Sequence, residues 1–486
     1  MNLELFGPEL SLAGTAVLVI LLDLFLRRKV LLTVVSIAGL ATAAGFTISM
    51  WGGSPQAIWN SLLAVDNFAL FFKLLFLVIA ALVILASVDY VSRFTRFHGE
   101  YHALLLLATL GMMLMAAATD LISIFVALEL TAISFYVLVG FLKDRKSTEA
   151  SLKFVLLGGI ASAVLLYGMA LTFGFTGKTQ LLEIAQVIQG MSSQSLIASP
   201  GLILGIVLLV AGFGFKIAAA PFQMWAPDVY EGAPTPITLY LSVGSKAAGF
   251  AVILRVFYST FMLPEPLSLD WGTIFAVLSA IGMTLGNVIA IAQTNIKRML
   301  AYSSIAHSGY IMIGLAVVGL SQTTDMLGQS SLLFYVVAFA LADLVAFTAV
   351  IAVSNKVNSD LIRDYAGMGK QSPILALALT LGLISLIGLP PTAGFIAKFY
   401  IFTGAIGNGL LWLVIVAVVN SVISAYYYLR VVKVMWLGEP IHRGKVPSSL
   451  ALRLALAISC LGVLILGIAP DFMMKLAETA TSMLGF

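Results

Sequence analysis

Three lysines sit where lysine is hardest to accommodate. Lys216, Lys246 and Lys398 each fall inside a long apolar stretch, and so do Glu129, His307 and Asp343. A charge at the centre of a membrane helix costs at least about 2.5–3.5 kcal/mol on insertion scales. Burial in a low dielectric disfavours the charged form of any ionisable group, and a neighbour of opposite charge favours it. A lysine and a carboxylate that approach and separate in such a place therefore take up and release a proton. A series of them, bridged by water and by His307, relays protons across a bilayer. The competing reading is a set of fixed ion pairs that only specify packing. His307, between Ser304 and Ser308, also reads as a hydrogen-bonded core residue. Of the other cations, Lys153, Arg255, Arg430, Lys433 and Arg453 lie near enough to the ends of apolar stretches to reach the headgroups. Lys73 falls between the two groups. Lys153 and Asp343 remain as additional proton-transfer candidates.

The elements that hold these residues follow from composition. Of 486 residues, 61% are hydrophobic and only 10% charged, against about 25% charged in soluble domains. Apolar runs repeat from one end to the other, so the chain reads as one membrane domain. In lipid every backbone N–H and C=O needs an internal partner, which leaves helices and closed barrels. Residues 13–22, 104–117 and 410–419 are solid apolar blocks without the alternation of barrel strands. The expected fold is an all-α polytopic bundle of about fourteen transmembrane helices. Spans are placed near 8–26, 31–50, 68–88, 101–118, 121–142, 150–174, 201–225, 234–258, 271–293, 300–319, 330–353, 373–402, 409–437 and 450–470. A short interfacial helix is expected over 471–483.

Metal and redox chemistry find little support. Cys460 is the single cysteine, so no cysteine set holds an iron–sulfur cluster. His98 and His102 stand in His-Gly-Glu-Tyr-His, which lacks the His-Glu-x-x-His order of zinc proteases and reads as a polar loop at the membrane surface. Glycine-rich stretches fall within spans, which argues against phosphate binding. No cleavable leader is expected, because 12–26 is followed by Arg27, Arg28 and Lys29 without a small-residue cleavage site.

Lys and Arg separate by loop. One alternating set holds Arg27, Arg28, Lys29, Arg93, Arg96, Lys143, Arg145, Lys146, Lys297, Arg298, Lys356, Arg363, Lys370, Arg443 and Lys445; the other holds Lys178 and Lys475. Positive loops stay cytoplasmic, so both termini are expected on the outer, periplasmic side of a cell membrane, which requires an even number of spans.

Two spans carry helix breakers beside a lysine. The seventh holds Gly212-Phe213-Gly214-Phe215-Lys216 and Pro221; the twelfth holds Gly388-Leu389-Pro390-Pro391, Gly394 and Lys398. They lie five spans apart, and an odd offset reverses direction in the membrane. Spans four to eight and nine to thirteen thus form a candidate pair of inverted five-helix repeats with broken helices, an arrangement that places ion sites at the breaks. The division is an N-terminal three-helix region over 1–100, half-channels over 101–258 and 271–437, and a C-terminal helix and tail over 450–486.

Ala127-Leu128-Glu129-Leu130, Gly214-Phe215-Lys216-Ile217-Ala218-Ala219-Ala220-Pro221-Phe222, the loop Trp225-Ala226-Pro227-Asp228-Val229-Tyr230-Glu231-Gly232-Ala233-Pro234-Thr235-Pro236, and Ala301-Tyr302-Ser303-Ser304-Ile305-Ala306-His307-Ser308-Gly309-Tyr310 together resemble the antiporter-like membrane subunits of respiratory complex I. The resemblance spans roughly 1–475. It implies fourteen helices with inverted repeats, a Glu129–Lys216 pair in the first half-channel, Lys246 with His307 linking it to a central axis, and Lys398 in the second. Lysine rather than glutamate at 398, and an end at Phe486 without a long lateral helix, favour the N-type branch. Asp343 departs from the neutral residue, commonly Asn, expected at its position. The resemblance further implies a non-redox subunit of an NADH:quinone oxidoreductase-type translocase that binds no cofactor itself. Flavin, iron–sulfur clusters and quinone then belong to partner subunits. Partners would be another antiporter-like subunit, small membrane subunits and the lipid bilayer, not nucleic acid. A cation/proton antiporter subunit, a hydrogenase- or ferredoxin-linked complex, a stand-alone transporter and an inert scaffold are the rivals.

The charge pattern predicts a labelling result. With Cys460→Ser as background, Lys143→Cys is expected to react with an impermeant maleimide only from the cytoplasmic side, and Lys178→Cys only from the outside. Labelling of both from one side contradicts this topology.

Overall fold

The structure is a computed structural model that describes residues 3–94, 96–191, 199–262, 271–320, 326–441 and 444–482. Arg443 of the positive set and Met483 of the expected terminal helix lie outside the described residues. The chain begins with α1 (Gly7–Phe25) and α2 (Val30–Ser49), then a hairpin of β1 (Gln56–Ile58) and β2 (Leu63–Val65). Next come α3 (Asn67–Phe94), α4 (His98–Ala117), α5 (Leu121–Val139), α6 (Arg145–Thr176) and the short α7 (Leu181–Gln189). The middle of the chain forms α8 (Pro200–Lys216), α9 (Trp225–Gly232) and α10 (Thr235–Phe261), which includes a π turn over Leu241–Ser245 and ends in another, Phe257–Met262. The remainder is α11 (Trp271–Ile291), α12 (Ile296–Leu320), α13 (Met326–Val357), α14 (Pro373–Ile387), α15 (Ala393–Gly407), α16 (Leu411–Leu437), α17 (Leu450–Ile468) and α18 (Asp471–Thr481).

Among the described residues, twelve helices are long and apolar enough to cross a membrane. The expected spans that are missing from these twelve are the two broken ones. α8 stops at Lys216, short of the expected end at 225, and the twelfth span is divided into α14 and α15. The fold is therefore the helical polytopic bundle that the apolar blocks require.

Loops sort by end as the charge pattern demands. At one end Thr119 Oγ1 donates to the Ser61 carbonyl at 2.8 Å, Gln180 Nε2 to that of Asn60 at 2.7 Å, and Asp120 bridges to Gln180. At the other, Arg430 donates to the carbonyls of Ile291 and Gln293, and the Asp360 carbonyl accepts from Ile296 N–H at 2.8 Å. The lysine-poor loops interlock with each other, and so do the lysine-rich ones.

The interior belongs to α10, α12 and α13. All of the most apolar window of α10 is buried, and nearly all of those of α12 and α13, whereas α1, α2, α6 and α17 turn most of their surface outward. That outer surface carries bare Leu24, Val30, Ile160 and Ile468, as a face toward hydrocarbon should. α18 packs one side on α13 and α3, burying Met474, Ala477 and Ala480.

Four sequence-based placements need correction. Arg255 does not reach the headgroups: it is buried, its guanidinium donates to both Asp66 oxygens at 2.8 Å, and Nε donates to the Ala116 carbonyl at 2.9 Å. Lys297 is not a loop residue. It lies in the first turn of α12, buried, with Nζ 2.6 Å from the Ala233 carbonyl and 3.0 Å from that of Glu231. His98 and His102 form no surface loop but the first turn of α4, and the His102 ring is buried between the Thr33 hydroxyl and the His98 carbonyl. Residues 225–232, expected as loop, are the helix α9. In each case a distant partner, invisible locally, satisfies the polar group.

Lys73 is also resolved: its Nζ lies 2.7 Å from Glu9 Oε1, and both side chains are 1% exposed. Breaking one partner of a buried pair strands the other. Asp66→Ala is expected to lower stability by roughly 3–5 kcal/mol, read as a lower thermal unfolding midpoint of the detergent-solubilised protein. The double change Asp66→Leu with Arg255→Leu should recover part of the loss. An unchanged midpoint in Asp66→Ala contradicts the assignment.

Candidate functional site

The apolar run of α8 ends where Lys216 becomes its last helical residue, and 217–224 run without helix to α9. Ala218 takes a positive φ of 53° and the Ala220–Pro221 bond is cis. Helix ends leave carbonyls without intrahelical donors, and in a membrane those carbonyls need protein partners. The break supplies them from side chains: Trp225 Nε1 donates to the Phe215 carbonyl at 2.9 Å and Ser308 Oγ to that of Ile217 at 2.7 Å. The second break follows the same logic. α14 ends at Ile387, Gly388 takes φ +88°, and Pro390–Pro391 is cis before α15 begins. Lys398 Nζ, on α15, donates to the Ile387 carbonyl at 2.8 Å. The ammonium thus sits on the negative end of α14, a favourable place for a cation.

Glu129 and Lys216 are near each other but not in contact. Glu129 accepts a short hydrogen bond from Ser162 Oγ, on α6. Ser162 lines a cavity whose other walls include Lys216, Tyr136, Gly158, Trp225 and Ser245. Its space for water is ≈ 20 Å³, room for about one molecule. The expected ion pair is therefore a pair spaced by a hydroxyl and a cavity. The stacked rings of Phe154 and Trp225, 4.7 Å apart, cover one side.

Lys246 leaves the π turn of α10 and donates at 2.5 Å to both the carbonyl and Oγ of Ser304, on α12. Ser304 Oγ is 3.1 Å from Ser242 Oγ, which donates to Asp343 Oδ2. His307 lies one position short of a turn further along α12. Its Nδ1 is 3.1 Å from the Tyr335 hydroxyl and its Nε2 3.5 Å from that of Tyr428, which in turn meets Ser303. Lys398 Nζ donates to Ser421 Oγ at 2.9 Å and stands 4.4 Å from the centre of the Tyr310 ring; the Tyr310 hydroxyl is 3.1 Å from Ser421 Oγ. Tyr310 and Tyr335 stack with centroids 6.3 Å apart. The candidates thus occupy one sheltered belt: half-buried Glu129 and buried Lys216, then Lys246 with Asp343, then His307, then Lys398.

Lys153 is not part of that belt. It is well exposed at the lysine-rich end, 2.9 Å from both Glu149 and Asp228. Arg298 completes the cluster, 2.6 Å from Asp228 and 3.0 Å from Glu231. Partial burial pushes the Asp228 carboxyl up, but Lys153 and Arg298 outweigh it and hold the group below the usual carboxylate range. The cluster ties α9 to α6 and α12. Ser162, Ser242 and Ser421 were missed in the sequence, and Ser304 was read only as a neighbour of His307, because a serine in an apolar helix carries no local sign of its partner.

A bundle with broken helices that present buried lysines to hydroxyl groups and, at Lys216, to a small cavity is the architecture of an ion-translocating membrane protein. The chain belongs to the family described as NADH:quinone oxidoreductase/Mrp antiporter, TM, which matches residues 118–424. It is 54% identical to NADH-quinone oxidoreductase subunit N of Dehalococcoides mccartyi, over 99% of this chain and all of that one. A chain of respiratory complex I from Thermus thermophilus superposes with a TM-score of 0.80 and 32% identity, covering 97% of this chain and 99% of the other. One from the membrane-bound sulfane sulfur reductase, an archaeal respiratory membrane complex, gives 0.87 and 26%, covering 99% and 97%.

Gly388 allows a positive φ, which side chains other than glycine rarely adopt. A Cβ there would also lie 2.8 Å from Lys398 Cδ. Gly388→Ala is expected to lower stability by about 1 kcal/mol or more and to impair whatever Lys398 does, whereas Gly159→Ala, at a position with open space, should be neutral. Equal thermal midpoints for the two variants contradict this.

Proposed function

We infer that this chain is a proton-translocating membrane-arm subunit of an NADH-quinone oxidoreductase complex and performs no redox chemistry itself. The observation that carries the reading is the belt of buried ionisable side chains at two broken helices. The full-length similarity to subunit N chains supports the choice of complex. In this reading Glu129, Lys216, Lys246, His307 and Lys398 relay protons. Residues 101–258 and 271–437 act as two inverted half-channels, 1–100 and 450–486 flank them, and both termini face the periplasmic side of the cell membrane. Flavin, iron–sulfur clusters and quinone reside in partner subunits, and another antiporter-like subunit and small membrane subunits are its neighbours.

The energetics are of the right size. Moving one charge against 100 mV takes about 2.3 kcal/mol. A shift of two units in a group's proton affinity is worth about 2.7 kcal/mol. Small changes in the separation of Glu129 and Lys216, across a gap holding about one water, are thus enough to load and unload a proton. Energy arrives through contacts with the redox subunits. The Mrp-type members of the family keep a cation/proton antiporter subunit as the alternative.

Purification separates these, since the first reading requires co-purifying flavin and iron–sulfur chains and the second only small membrane partners. In that assembled complex, reconstituted in vesicles, Lys216→Ala is expected to lose proton pumping while its subunits still co-purify. Full pumping by the assembled variant contradicts the relay.

A further inference from the structure

Among the described residues, buried acid–base pairs take two geometries. Glu9–Lys73 and Asp66–Arg255 are in direct contact, at 2.7 and 2.8 Å. Such pairs are fixed, since separating them strands both charges. Asp343 and Lys246 are equally buried, at 1% and 3% exposure, yet they do not touch. Two hydroxyls stand between them, those of Ser242 and Ser304. Half-buried Glu129 and buried Lys216 likewise make no direct contact, and Ser162 sits on the carboxylate.

The directions of these bonds can be assigned by counting protons. A serine hydroxyl has one proton to donate. Ser242 gives its proton to Asp343 Oδ2, so in its 3.1 Å contact with Ser304 it must accept. Ser304 is then the donor there, and its own oxygen accepts from Lys246 Nζ at 2.5 Å. Every bond points the same way, from Lys246 through Ser304 and Ser242 to Asp343. Ser242 also sits in the π turn that precedes Lys246, and such turns recur at functional positions of helices.

We propose that Asp343 and Lys246 are a second acid–base pair of the translocation path, exchanging a proton through the hydroxyls of Ser304 and Ser242. The Lys246 ammonium passes a proton to Ser304 Oγ, Ser304 passes its own to Ser242 Oγ, and Ser242 passes its own to Asp343 Oδ2. Lys246 ends as a neutral amine and Asp343 as a carboxylic acid. Each serine still carries one proton, and the net charge is unchanged. After the transfer both hydroxyls point back toward Lys246, so the proton can return by the same route, whereas a second transfer to Asp343 requires both hydroxyls to turn first. Ser308 Oγ, 2.7 Å from the Ile217 carbonyl and 3.2 Å from that of Ser304, connects this pair to the break after Lys216. The inference rests on the reading of the chain as proton-translocating.

The test uses the assembled complex reconstituted in vesicles, with proton uptake measured per electron. Asp343→Asn and Ser242→Ala are expected to lose proton uptake with the subunits still co-purifying, and Ser242→Thr, which keeps a hydroxyl, to retain it. Normal uptake in Asp343→Asn and Ser242→Ala alongside loss in Lys216→Ala overturns this pair and leaves the wider relay standing. Normal uptake in all three overturns both. Loss in Asp343→Asn with normal uptake in Ser242→Ala overturns the hydroxyl route.

Discussion

Every carbonyl freed by a break in a membrane helix must find a donor, because hydrocarbon offers none. Both breaks in this bundle meet that demand with side chains. At the first, Trp225 and Ser308 take the carbonyls of Phe215 and Ile217. At the second, Lys398 takes that of Ile387. Breaks and buried cations are therefore one feature. The break creates the polar spot that makes a lysine tolerable at that depth, and the lysine helps satisfy the break. The rest of the bundle serves to keep this belt away from lipid, which is why α10, α12 and α13 are almost wholly enclosed.

The bundle handles its charges in two ways. Where a charge is structural, as for Arg255 with Asp66 or Lys73 with Glu9, it meets its opposite directly. Where the sheltered belt holds a lysine and an acid, hydroxyls or a small cavity separate them. Contact locks a pair; in the proposed relay a hydroxyl spacer lets a proton pass while both groups stay sheltered from lipid. Under that proposal proton relay and mechanical stability coexist in one core, because different pairs carry them.

Much of this could be read in the sequence for a physical reason. Apolar blocks and helix breakers are local signals, so the spans and both breaks were legible, and an ionisable residue amid leucines stands out wherever it lies. Lys216, Lys246 and Lys398 were found that way. Partners are not local. Asp66 lies 189 residues from Arg255, and Arg255, near the end of its span, looked free to reach the headgroups. Ser242, Ser304 and Asp343 lie on three different helices, so their contact shows only when α10, α12 and α13 are packed. Residues 225–232 read as loop because of their prolines and glycine, yet Asp228 and Glu231 are braced by Lys153 and Arg298 into a helical turn.

The central claim is that Glu129 and Lys216 communicate through a wetted gap rather than through contact. It is tested most directly by a map of the assembled complex fine enough to place water. The account predicts ordered water in the cavity between Ser162 and Lys216, within hydrogen-bond reach of both. A dry cavity, with Lys216 held by protein groups alone, would contradict it.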